Sequence, residues 1–314
     1  MCRSTRRAST NGVSPPGSTS TTRPFGAASA TRRWPRDRHE RHRAHPRASP
    51  PRKPRRTPLT ERSRFVLALQ VLIVVGLLAA WELGAATGFI DTFLFSSPSR
   101  IAEVLARRAE TGALWTDIGV TMTETVLGYL VGAVGGSVLG LALWYSSFVA
   151  GLTRPFITAI GAIPILAIAP LIIIWFGTDI VSKIVIVALS CVVVSLTNSY
   201  RGAQEVDADW INLMRSFGAT KTQTFFKIIV PGAGPWVMQG LRLNVGFAVV
   251  GAIVGEFISS SSGIGHMIVR GSATFSLSTV FAGLVVVVFM VSVLSLAMRF
   301  VERILPGANH IERK

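Results

Sequence analysis

The sequence predicts an all-α membrane protein of six spanning helices, and three observations carry that prediction. Apolar runs near the ~20 residues that a bilayer requires recur six times. None of them alternates as a strand would, and only helices and closed barrels satisfy their own backbone in hydrocarbon. The chain is 49% hydrophobic and only 15% charged over 314 residues, with a mean hydropathy of +0.48. That is apolar for a chain dissolved in water.

The net charge of +16 is distributed unevenly. Residues 1–64 hold 17 Lys and Arg against 3 Asp and Glu, a net of +14, and the other 250 residues hold 15 against 13, a net of +2. Residues 1–60 therefore read as a disordered basic tail, too poor in apolar side chains to offset the entropy of ordering. Residues 61–314 read as the membrane domain. The tail has no apolar stretch of signal-peptide length. It fits a cytoplasmic tail lying on anionic membrane lipid, or a start codon placed too far upstream. Nucleic-acid binding is not expected, because only Phe25 and Trp34 are available to stack on bases and no motif frames them. His39, His42 and His45 have no second ligand cluster, so no metal site is expected. Cys2 and Cys191 are the only cysteines, which rules out a disulfide framework.

The expected spans are about 65–83, 122–145, 156–176, 184–199, 236–258 and 279–299. Between the first two, Ser97 or Ser99 is placed to cap a short surface helix with Ile101, Val104, Leu105 and Ala109 on one face. In span two, Gly128, Gly132, Gly136 and Gly140 repeat every four residues and form a smooth stripe for close helix packing. In span three, Pro164 and Pro170 each remove a backbone donor and are expected to bend the helix. The GTDIVSK turn at 177–183 makes spans three and four a hairpin. With the N-terminus inside, eleven basic residues flank the spans on the inner side and five on the outer, which places both termini in the cytoplasm.

The segment of about 200–235 is too polar to span and too patterned for an idle loop. Val206, Trp210, Leu213, Met214 and Phe217 recur at helical spacing, Gly218 is placed to end that helix, and Thr220 with Gln223 forms a capping box for a second one. The second helix carries Phe225, Phe226 and Ile229, and Pro231 and Pro235 are expected to stop it before span five. Such a helix–turn–helix either rests on the bilayer or presents an apolar face to another protein.

The stretch GATKTQTFFKIIVPGAGP resembles the cytoplasmic signature loop of permease subunits of bacterial ATP-binding-cassette importers. In that pattern Glu-Ala-Ala is followed by three residues, Gly, nine residues and Ile-x-Leu-Pro. Gly218 is followed at that distance by Ile228, Ile229, Val230 and Pro231, with Val230 in place of Leu. The opening triplet departs, since Asn212, Leu213 and Met214 stand there, so a role resting on its carboxylate is not carried over. AIPILAIAPLIIIWFG, GLRLNVGFAVVGAIVGEF and GIGHMI are similar to the branch that imports nitrate, sulfonates and taurine, and the likeness runs over about 65–305.

The resemblance implies a type I importer permease in the bacterial plasma (inner) membrane. The insert between spans four and five would dock a separate ATPase through Trp210, Leu213, Met214, Gly218, Ala219, Phe225, Phe226, Ile228 and Pro231. It also implies a second permease copy, identical or paralogous, and an extracellular or periplasmic solute-binding protein. No phosphate loop of the Gly-x4-Gly-Lys-Ser/Thr kind is present, so ATP is expected on the partner subunit, with no cofactor and no catalytic residue here. A secondary transporter or channel is the alternative, but its mid-membrane charges are scarce. Ser190, Ser195, Asn198, Asn244 and Glu256 are candidate path residues. Isolated polar residues in membrane helices also commonly bond their own backbone. Glu256 either faces water near the outer mouth or serves as a capping or snorkelling carboxylate. The motifs are specific for the family and not for the solute.

Overall fold

The computed structural model describes residues 59–304. Residues 1–58, nearly all of the basic tail assigned to 1–60, and the last ten residues lie outside the described residues. All described regular structure is helical. Five helical stretches are long and apolar enough to span: Ala68–Ala86, Ala113–Tyr145, Ile180–Gln204, Lys221–Ile258 and Leu277–Ile304. Ser147–Ala162 and Ile165–Phe176 form a further apolar pair bent by 95°.

Helix α1 (Leu59–Ala86) touches the bundle through its last turns. There the Glu82 carboxylate accepts hydrogen bonds from Ser99 N (3.0 Å) and Ser99 Oγ (2.7 Å), and Trp81 meets Phe281 edge-on at 5.7 Å. One turn, α2 (Thr92–Phe95), leads into α3 (Pro98–Glu110). Ser97 caps α3, Ile101 is buried, and Val104, Leu105 and Ala109 pack on the core, as the expected apolar face requires.

Helix α4 (Ala113–Tyr129) continues through a π-helical turn, Leu130–Val134, into α5 (Gly135–Ala142). Span two thus starts well before residue 122, because Asp117, Thr121 and Glu124 are buried against other helices and do not break the helix. The glycine stripe packs on α8 (Ile180–Gln204), within this chain. A Cβ at Gly128, Gly132, Gly136 or Gly140 would run into backbone of Ile184, Ala188, Val192 or Leu196 respectively. Both series climb by four residues, so α8 lies parallel to α4 and α5.

That register fixes the path of the broken pair, α6 (Ser147–Ala162) and α7 (Ile165–Phe176). Since α5 ends and α8 begins at opposite ends of the bundle, α6 and α7 carry the chain back between them and form the sixth crossing. Span three therefore begins earlier than expected, and the bend expected at Pro164 is a full break between two helices. The cause is local: Ile163 precedes a proline and takes extended dihedrals (φ −79°, ψ 122°), which end α6, and Pro164 opens α7. Pro170 sits inside α7 without interrupting it.

Span four is longer than expected, because Ser182 and Lys183 at its start and Ser199 toward its end are buried in the bundle. Helix α11 (Val230–Ile258) packs antiparallel on it, with Gly240 beside Asn198, Gly251 beside Ser190 and Gly255 beside Lys183. Asn244 ties the two together, its Nδ2 donating to Cys191 O (3.0 Å) and Ser195 Oγ (2.5 Å). Helix α12 (Ile264–Ala273) and α13 (Leu277–Ile304) complete the bundle.

Candidate functional site

The insert begins at α9 (Ala208–Ser216), capped by Asp207, whose side chain accepts from Asp209 N (2.9 Å). Helix α9 ends at Gly218, whose φ of 74° lies in the left-handed region that glycine adopts freely. Gly218 N donates to Arg215 O (2.9 Å) and Ala219 N to Met214 O (3.0 Å), the paired bonds of a Schellman turn. Thr220 then opens α10 (Lys221–Thr224) with the expected capping box: Gln223 N donates to Thr220 Oγ1 (3.3 Å) and Thr220 N to Gln223 Oε1 (2.9 Å).

The second helix does not stop at the prolines. A π-helical turn, Phe225–Ile229, joins α10 to α11, and Val230 N reaches back five residues to Phe225 O. Pro231 follows at the first positions of α11, where a missing donor is tolerated, and Pro235 lies inside the same helix. The expectation of a break is thereby corrected. Lys221–Ile258 is one 38-residue helix, so the second half of the insert is built into span five.

The insert has two faces. Val206, Ile211, Phe225 and Ile229 pack inward with Ala203, on Leu141, Trp144 and Tyr145 at the end of α5. The Phe225 ring lies 4.7 Å from Tyr145 and 5.9 Å from Trp144. Lys221 Nζ donates to Tyr145 O (2.5 Å) and stands over the Trp144 ring at 5.6 Å. Trp210 (58% exposed), Leu213 and Phe217 (79%) face outward at i, i+3 and i+7 of α9, and Phe226 (64%) is exposed on the helix that follows. Gly218 and Pro231 are exposed, while Met214, Ala219 and Ile228 are half-buried.

Two expectations change here. Phe225, at 8% exposure, is an internal anchor and not part of the outward face. Val206 lies ahead of the Asp207 cap, so it leaves the outward stripe and joins the inner cluster. Phe217 belongs to the outward face but was absent from the expected docking set, although its spacing within the stripe marks it.

The path candidates are all engaged inside the chain. Ser190 Oγ and Asn198 Nδ2 donate to carbonyls of their own helix, at Ile186 (2.9 Å) and Val194 (2.9 Å), and Ser195 and Asn244 bond each other. Glu256 is 1% exposed. It does not face water at a mouth: its Oε1 accepts from Thr121 Oγ1 (2.6 Å) and its Oε2 from Gly265 N (2.5 Å). Thr121 Oγ1 also accepts from Ile264 N (2.9 Å), and Asp117 Oδ1 accepts from Gly263 N (2.9 Å). Three side chains thus satisfy the leading N–H groups of α12, where a helix carries partial positive charge. Arg108 pairs with Asp117 Oδ2 at 2.6 Å, and Lys183 Nζ lies 3.7 Å from Glu124.

Glu256→Ala leaves the buried Gly265 N–H without an acceptor, while the Thr121 hydroxyl keeps Asp117 O within reach at 3.0 Å. We expect a loss of about 2–3 kcal/mol in stability. It should be read as a lower Tm and as faster proteolysis within residues 259–275. A Tm equal to wild type would show that the network does not hold α12.

The sequence pattern of the family described as "Binding-protein-dependent transport system inner membrane component" matches residues 114–307. The chain belongs to this family. The matched range takes in the glycine stripe, the insert and the Glu256 network and leaves α1 and α3 outside it. This permease is 33% identical over 221 residues to a probable ABC transporter permease protein of Haemophilus influenzae, covering 70% of this chain and 89% of that one. It is 29% identical to a putative aliphatic sulfonates transport permease of Bacillus subtilis (77% and 88% covered) and 28% identical to a taurine transport system permease of Escherichia coli (76% and 90%). Inward-facing conformations of the MetNI methionine ABC transporter share its fold, with a TM-score of 0.51 at 16% identity over 64% of this chain and 96% of that one.

Proposed function

We propose that this permease imports a small organic solute bearing a sulfonate group, of the aliphatic sulfonate or taurine kind, through the bacterial plasma membrane. It would work as one of two membrane subunits, with a separate ATPase bound to the insert and a solute-binding protein at the opposite end. Both termini then lie in the cytoplasm, in line with the eleven-to-five excess of basic flanks at the insert end. ATP is held by the partner, and no cofactor belongs to this chain. The solute class rests on the relatives named above.

The observation that carries the docking role is the outward apolar face of Trp210, Leu213 and Phe217 on α9, together with exposed Phe226 on the helix that continues into span five. A soluble loop that bound nothing would not leave four such side chains exposed together. Because Phe226 and Asn244 belong to one helix, a push on the insert moves span five as a rod.

The adjacent phenylalanines separate docking from folding. Phe226→Ala should reduce co-purified ATPase at least tenfold, since an interface anchor contributes about 2 kcal/mol or more, and leave Tm unchanged. Phe225→Ala should lower stability by about 3 kcal/mol through the cavity left beneath Tyr145. Uptake of radiolabelled taurine and ethanesulfonate by cells carrying the whole system tests the solute class. Uptake equal to that of cells lacking the permease would overturn it.

A further inference from the structure

We propose that Arg154, Tyr200 and Arg201 form a binding site for a tetrahedral oxyanion, a sulfonate or phosphate group, at the insert end of the bundle. A cavity of about 180 Å³ opens there between the start of α6 and the end of α8. Arg154 and Thr158 line it from one turn of α6, and Thr197, Tyr200, Arg201 and Gln204 line it from one face of α8. No carboxylate is among its lining residues.

The donors are free for a ligand. The ion pairs among the described residues engage Arg107, Arg108, Lys183 and Arg242, and neither Arg154 nor Arg201 has a carboxylate partner there. Tyr200 accepts from Gln204 Nε2 (2.9 Å), so its own O–H proton is left to donate. The Thr158 and Thr197 hydroxyls, by contrast, donate to their own helices at 3.0 and 2.8 Å. Two like charges facing one cavity repel each other, and a bound anion that accepts from both guanidinium forks reverses the sign of that interaction. Arg154 and Arg201 also count as topological flanks, but that role needs neither a shared cavity nor an available hydroxyl.

The same chemistry has two sources. A sulfonate head arriving through the path rests on the importer reading above, while the phosphate of an anionic lipid does not. The test uses the full-length protein, purified from membranes in the assembly it forms, in phosphatidylcholine nanodiscs. Ethanesulfonate is titrated calorimetrically, and retained phosphatidylglycerol is counted by native mass spectrometry. Wild type should bind one of the two, and the probe that binds names the source. Arg154→Gln and Arg201→Gln should each weaken that binding about tenfold or more, the loss expected for a hydrogen bond to a charged group. Tyr200→Phe should weaken it several-fold and, because it changes no charge, it cannot act through misinsertion. Wild type binding neither probe, or variants binding like wild type, would overturn the site. So would a loss confined to the arginine variants, which would indicate a diffuse positive surface. Solute uptake is not read, so such a failure leaves the importer reading standing.

Discussion

Gly218→Asp is expected to abolish solute uptake and ATPase co-purification while the protein stays inserted at near wild-type level. The backbone at Gly218 has a φ of 74°, which costs a residue with a Cβ about 1–2 kcal/mol. A Cβ there meets nothing within 4 Å, so the substitution does not clash with the membrane domain. Its effect falls on the turn between α9 and α10 and on whatever covers that turn. The aspartate adds a charge at the tip of an apolar face bounded by Phe217 and Phe226, where burial without a partner is strongly unfavourable. Gly218→Ala keeps the strain and omits the charge, so it should retain part of the activity. Wild-type uptake by Gly218→Asp would mean that this turn does not dock the ATPase.

Gly132→Val is expected to remove most of the folded protein. The three nearest atoms to a Cβ at this position are all backbone atoms of Ala188, so no side-chain rotation relieves the contact. The helices would have to separate along the stripe that joins α4 and α5 to α8, with neighbouring close approaches at Gly136 and Gly140 lost as well. Overpacking of a side-chain core costs about 1–3 kcal/mol, and a backbone-to-backbone contact has less room to adjust. In lipid, moreover, van der Waals contact is the main force between such helices. Membrane-extracted protein that elutes as a single species should fall at least tenfold. Gly135→Ala is the control, since its Cβ points into open space. Equal yields for the two variants would show that the stripe is not the packing surface.

The glycine stripe, the capping box and the Gly218 turn were all legible, because each depends on residues close in sequence whose chemistry allows few alternatives. The extent of the helices was less so. Asp117, Thr121 and Lys183 look like reasons to end a span until their partners are known, and those partners lie as far away as Glu256 and Gly263. The prolines misled in both directions. At Pro164 the preceding Ile163 is extended and the helix breaks, whereas Pro170 and Pro235 sit inside continuous helices and Pro231 follows a π-helical turn at the first positions of α11. Adjacent Phe225 and Phe226 point about 100° apart. What sends Phe225 inward is Tyr145, at the far end of span two, and no local pattern announces it.

The central claim is that the insert presents Phe217 and Phe226 to a separate ATPase. A photoreactive amino acid placed at position 217, 226 or 250, with irradiation of intact cells, tests it most directly. Val250 is also exposed on the bundle but lies within span five, away from the insert. Covalent adducts of ATPase mass are expected at 217 and 226 and none at 250. Adducts with lipid alone at 217 and 226 would contradict it, leaving the insert as a pair of helices resting on the membrane surface.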